Sequence, residues 1–105
     1  MFKNVLIIGC GLMGSSVLRA LHNKKLSKKI YVLEKSKKNI SMIKKIKTNC
    51  KFIKNLNHEV SNIDLVVLCT PMSEYKKIIP KLNQYLNSKC LITDVGSTKK
   101  NIINL

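Results

Sequence analysis

Val5-Leu6-Ile7-Ile8-Gly9-Cys10-Gly11-Leu12-Met13-Gly14 is the stretch that decides the fold. Residues 5–8 form a short β-branched-rich run closed by a glycine, which suits a strand buried on both faces. The glycines keep the spacing G-x-G-x-x-G, and Met13, Val17, Leu18, Ala20 and Leu21 then repeat at helical spacing. Short glycine patterns arise by chance, but between a strand and a helix each glycine has a physical task. Gly9 permits the tight turn, Gly11 lets backbone approach a pyrophosphate, and Gly14 allows close helix–strand packing. The free N–H groups near Leu12 and Met13 would face phosphates along the positive end of the helix dipole. The competing reading is a structural turn with incidental glycines.

Downstream, strands and helices keep alternating. Ile30-Tyr31-Val32-Leu33 reads as a second strand after the lysine-rich loop of residues 24–29, and Ser36 can cap a helix carrying Ile40, Ile43 and Ile46 on one face. Cys50, Lys51, Phe52 and Ile53 suggest a short third strand, with a turn or short helix after it. Residues 63–70 are the clearest strand, stopped by Pro71. A helix then begins at Ser73 or Glu74 and places Tyr75, Ile78, Ile79, Leu82 and Leu86 on one face. Pro80 falls inside it and is expected to kink it or leave its first part irregular. Residues 90–95 read as a fifth strand ended by Gly96, with Ser97 placed to cap a further turn. This alternation predicts an α/β fold: a doubly wound parallel sheet, Rossmann-like, of about five strands in the order 3-2-1-4-5. Residues 1–105 are then one dinucleotide-binding domain whose second half is incomplete, since the full fold takes a sixth strand. The fifth strand would be left as an open edge, so the isolated chain is expected to self-associate or to be unstable.

Ligands in such sheets bind beyond the carboxyl ends of the strands, where strand order reverses. Glu34, 20 positions after Gly14, closes the second strand, where an acid accepts hydrogen bonds from the adenine ribose hydroxyls. A 2′-phosphate would meet its like charge there, at roughly 10- to 100-fold in affinity, so NAD is favoured over NADP. Lys35, Ser36, Lys37 and Lys38 keep NADP open, because they could cradle that phosphate; they read equally as a solvated helix start. Thr70 and Pro71 should lie on the same rim, offering a resting place for a nicotinamide ring. Pro71 could also be a plain strand terminator.

The net charge of +15 comes from 20 basic residues, 19 of them lysine, spread along the whole chain. Lys, Asn and Ile supply 43 of the 105 residues, a uniform bias rather than a patch. Base readout favours arginine forks, so the expectation is a solvated lysine surface and no nucleic-acid partner. The apolar runs are far shorter than the roughly 18–20 residues of a membrane span, and Met1-Phe2-Lys3-Asn4 offers no cleavable signal. Cys10, Cys50, Cys69 and Cys90 form no Cys-x-x-Cys pair, and neither His22 nor His58 stands at zinc-ligand spacing from them. A cytoplasmic protein without a structural metal is expected.

Three stretches carry a family resemblance: Ile8-Gly9-Cys10-Gly11-Leu12-Met13-Gly14-Ser15-Ser16, Asp64-Leu65-Val66-Val67-Leu68-Cys69-Thr70-Pro71, and Thr93-Asp94-Val95-Gly96-Ser97-Thr98-Lys99. Together they resemble the N-terminal domain of the prephenate and arogenate dehydrogenases of tyrosine biosynthesis. The first two are shared across a wider superfamily; the third is much more particular. The resemblance implies oxidative decarboxylation of prephenate to 4-hydroxyphenylpyruvate, or the corresponding reaction of arogenate, with hydride transfer to NAD. It matches Ser97 to a serine beside the substrate and the catalytic histidine; the alternative for Ser97 is a helix cap. In that family the histidine lies in a downstream Gly-His-Pro motif, and a helical C-terminal domain completes the pocket and forms a homodimer. Neither occurs within these 105 residues. The expectation is therefore cofactor contacts without turnover by this chain alone. Two alternatives stay open: another superfamily dehydrogenase of 3-hydroxyisobutyrate or pyrroline-carboxylate reductase type, and a stand-alone dinucleotide-binding regulatory module.

Overall fold

In the computed structural model, residues 2–9, 12–45, 50–56, 58–70, 72–87 and 89–94 are described. Five strands, β1 (Phe2–Ile8), β2 (Ser27–Leu33), β3 (Cys50–Ile53), β4 (Leu65–Leu68) and β5 (Leu91–Asp94), form one parallel sheet in the order β3-β2-β1-β4-β5. Helices α1 (Leu12–Asn23), α2 (Lys37–Lys44) and α3 (Tyr75–Tyr85) fill the crossovers, with short 3-10 turns at His58–Asn62 and Met72–Glu74. The register places Ile53, Leu33, Ile8, Leu68 and Asp94 in one row at the carboxyl ends of the strands. The expected doubly wound α/β arrangement and its strand order are both present.

The sheet separates two apolar layers, and strand alternation supplies both. Val5 and Ile7 of β1, Ile30 and Val32 of β2 and Val67 of β4 point to one face, where they meet Leu18 and Leu21 of α1 and Ile43 of α2. Leu6, Ile8, Val66 and Leu68 point to the other, where Leu82 of α3 and Val60 of the first 3-10 turn cover them. Every side chain from Val5 to Ile8 is therefore buried, as a central parallel strand requires. At the far edge, Leu91 and Ile92 of β5 are exposed. Among the described residues, no helix is long and apolar enough to cross a membrane.

Several boundaries differ from the sequence expectations for identifiable reasons. β2 starts at Ser27, three residues before the apolar run, because Phe2 N–H donates to the Leu26 carbonyl (2.9 Å) and extends the β1 pairing. β4 is confined to Leu65–Leu68, yet its pairing with β1 runs one residue further each way: Asp64 N–H donates to Asn4 (2.9 Å) and Cys69 N–H to Ile8 (2.8 Å). α3 runs through Pro80 without a break from Tyr75 to Tyr85, while the expected first residues, Ser73 and Glu74, belong to the preceding 3-10 turn. Lys76 and Pro80 are both exposed, so the carbonyl that lacks the proline's N–H lies on a solvated face. Ala20, at a position of the apolar repeat, is exposed. Val95 and Ile46 lie outside the described residues.

The exit from α1 is built on an unexpected residue. Lys25 has φ 53°, the left-handed conformation, while Leu26 N–H reaches the Leu21 carbonyl (3.0 Å) and Lys25 N–H the His22 carbonyl (3.3 Å). This is a Schellman closure, where glycine normally stands because a Cβ there crowds the backbone. Lysine holds the position because the chain must turn at once into β2.

At the other end of β1, Gly9 also adopts a left-handed backbone, φ 76°, with its N–H donating to the Leu33 carbonyl at 2.8 Å. A Cβ there would collide with Thr70 Cγ2 and lie 3.2 Å from the Thr70 nitrogen. The turn between β1 and α1 thus needs glycine twice over, for its dihedral and for the approach of the chain leaving β4.

Two stability outcomes follow from these turns. Lys25→Gly should raise stability by about 0.5–1 kcal/mol in urea unfolding, the left-handed penalty less the added freedom of the unfolded chain. Gly9→Ala should cost about 1–3 kcal/mol, and adding Thr70→Ser, which removes the colliding methyl, should recover part of that loss. A strictly additive double variant would show that the methyl contact does not matter.

Candidate functional site

The carboxyl ends of the strands open on a cleft of about 550 Å³. Ile8 and Leu33 form its floor and Ile78 and Tyr85 of α3 one apolar wall. Gly9, Glu34, Lys35 and Thr70 line it, joined by Lys54 and Asn55 beyond β3. The cleft therefore sits where β1 separates β2 from β4, the point at which strand order reverses.

Glu34 follows β2 directly, and its half-buried carboxylate is held on both oxygens. Oε1 accepts from the backbone N–H of Ser36 at 3.0 Å and Oε2 from Asn39 Nδ2 at 3.3 Å. Ser36 is the N-cap of α2, its Oγ accepting from the Asn39 backbone N–H at 3.4 Å, as the sequence suggested. Lys35 is exposed at the rim. Thr70, one residue beyond Cys69 at the end of β4, has a buried Oγ1 with no hydrogen-bond partner. A buried hydroxyl in that state costs free energy unless a ligand satisfies it.

α1 begins at Leu12, three residues after Gly9, so its first amides lie at the same rim with no intrahelical acceptor. Gly14, in the first turn, is buried, as close packing of this helix requires. Three observations bear on whether a dinucleotide fits: a buried, unpartnered hydroxyl and an anchored carboxylate on residues that line the cleft, and a helix that starts three residues after Gly9. They supply a hydroxyl, an acceptor for diols and donors for a diphosphate respectively. The residues present fit that group.

Of the residues singled out from the sequence, Gly9, Glu34, Lys35 and Thr70 line this cleft, while Leu12, Met13 and Gly14 belong to the first turn of α1. Gly11, Pro71 and Ser97 lie outside the described residues. His22 is in the last turn of α1 and His58 starts the 3-10 turn between β3 and β4, neither of them lining the cleft. Sequence reading missed Asn39, although its place three residues after an N-cap serine was a usable signal. It also missed Lys77 and Lys81, one helical turn apart on α3, which line the cleft with Lys54 and Lys35. At the amino end of the sheet, burial pushes the Cys90 thiol's pKa up, and the negative charge of Asp64 adds to it. That thiol is not a nucleophile at neutral pH.

Known proteins match this arrangement. The family described as prephenate dehydrogenase, nucleotide-binding domain, matches residues 17–105, a span that begins downstream of the glycine turn and so supports the fold independently of it. A prephenate dehydrogenase of Lactococcus lactis subsp. cremoris is 31% identical over 104 residues, covering 98% of this chain and 29% of that protein. A cyclohexadienyl dehydrogenase of Zymomonas mobilis is 28% identical over 102 residues, 97% of this chain and 35% of the other. The chain thus spans about a third of the length of these relatives. Among solved structures, the Aquifex aeolicus prephenate dehydrogenase in complex with hydroxyphenyl propionate and NAD+ superposes with a TM-score of 0.79 at 24% identity, over 99% of this chain and 38% of that one. With a family match over most of its length and the sheet order that such a domain needs, the chain belongs to the prephenate dehydrogenase nucleotide-binding domain family.

Proposed function

We propose that this chain binds NAD along the carboxyl rim of its sheet, as the cofactor-binding part of an enzyme that oxidises prephenate or arogenate with loss of carbon dioxide. The observation that carries the reading is the cleft at the switch point, lined by Gly9, Thr70 and Glu34, whose carboxylate is held on both oxygens. In this reading the turn from Gly9 through Gly11 to Gly14 and the amides of Leu12 and Met13 take the diphosphate. Glu34 accepts the adenine ribose hydroxyls, and Thr70 and Pro71 border the nicotinamide.

NAD supplies the hydride acceptor; the chain's own residues orient it and exclude water from one side. Ser97 stands beside the substrate in this reading. The base that takes the substrate hydroxyl proton is a histidine of a Gly-His-Pro motif, and these 105 residues contain none. Taken alone, the chain therefore binds cofactor without turnover. Homodimerisation through a helical second domain and residence in the cytoplasm belong to the same proposal. The half-buried reduced thiols of Cys50, Cys69 and Cys90 suit a reducing compartment.

NAD is favoured over NADP because Glu34 presents a negative charge where a 2′-phosphate would lie. Glu34→Ala should shift the ratio of NADP to NAD affinity towards NADP by roughly 10-fold in calorimetric titration; an unchanged ratio would remove Glu34 from the site. Thr70→Val keeps the shape but deletes the unpartnered hydroxyl. It should weaken NAD roughly 2- to 10-fold while leaving stability unchanged or higher, and equal NAD affinity would place Thr70 outside the contact.

A further inference from the structure

We propose that Asn39 is a positioning residue for cofactor choice: with the N-cap backbone of α2 it clamps the Glu34 carboxylate in the orientation that accepts a ribose diol. The proposal rests on the reading of Glu34 as the ribose acceptor. An ionised carboxylate offers about four lone-pair sites. Ser36 N–H occupies one on Oε1 and Asn39 Nδ2 one on Oε2, so each oxygen is fixed by one protein donor and each retains a free site. Two neighbouring hydroxyls need two acceptors of this kind, side by side.

The local chemistry departs from an ordinary capping box. There the residue at the third helical position carries an acceptor that reaches back to the N–H of the capping serine. Here Asn39 occupies that position but turns a donor outward, and Glu34, from the end of β2, accepts the Ser36 N–H in its stead. The first turn of α2 is thereby tied to the last residue before the rim. The tie also matters electrostatically. Lys35, Lys54, Lys77 and Lys81 line the same cleft, and an unrestrained carboxylate would be drawn towards their ammonium groups. Two donors, one on each oxygen, hold it against that pull, so less rotamer freedom is lost when the ribose arrives.

The rival account is that the Asn39 contact only stabilises α2, where a carboxylate near a helix start is favourable in itself. The two separate in titrations of NAD and NADP against the chain and four variants: Asn39→Ala, Asn39→Asp, Glu34→Ala and the double variant Asn39→Ala with Glu34→Ala. None of these removes the Ser36 Oγ cap, which bonds to the backbone of Asn39. The clamp predicts that Asn39→Ala weakens NAD about 3- to 10-fold with little change for NADP. Asn39→Asp, which has the same shape but sets a second carboxylate against the first, should weaken NAD further. In the Glu34→Ala background, Asn39→Ala should have no additional effect on the ratio. If the Asn39 variants lower the melting temperature but leave the ratio where it was, while Glu34→Ala moves it, the clamp is wrong and the ribose reading stands. If Glu34→Ala also leaves the ratio unmoved, or the unsubstituted chain does not bind NAD, both fall together.

Discussion

The close approach of two chain segments, the turn after β1 and the residue after β4, is the constraint on which the rim depends. Gly9 has no side chain at the point where Thr70 presses in, and its N–H is committed to Leu33 on the other side. β1 is thus anchored to both neighbours at the very place where α1 must start. A side chain at position 9 would push apart two segments that both line the cleft.

Around that point the site combines groups of opposite character. The protein is strongly cationic, with five acidic residues against twenty basic ones, yet two of those five, Glu34 and Glu74, line the cleft. A field of that sign attracts anionic ligands from a distance, and four lysines, Lys35, Lys54, Lys77 and Lys81, bring it to the cleft itself.

Much of this was legible in the sequence, because the informative signals were local. A buried strand, a glycine turn and a helical repeat follow one another within residues 5–21, and alternation with helices then leaves few topologies. Glu34 and Thr70 could be singled out for the same reason, each standing at or just beyond the end of a strand. What escaped depended on contacts between distant segments or on backbone conformation. The early start of β2 needs the hydrogen bond from Phe2, and the narrowing of β4 arises at pairings with β1 that residue types do not encode. Lys25 in a left-handed conformation contradicts the usual glycine signal. Lys77 and Lys81 read as an ordinary solvated face until α3 is laid over the rim.

The way β1 feeds both apolar layers has a further consequence. Val5 and Ile7 belong to one layer and Leu6 and Ile8 to the other, so the same four peptide units are shared between two cores. Peeling either set of helices away strips solvent protection from a strand that the remaining layer still needs. Among the described residues, the two layers are thus coupled through the alternation of four consecutive side chains.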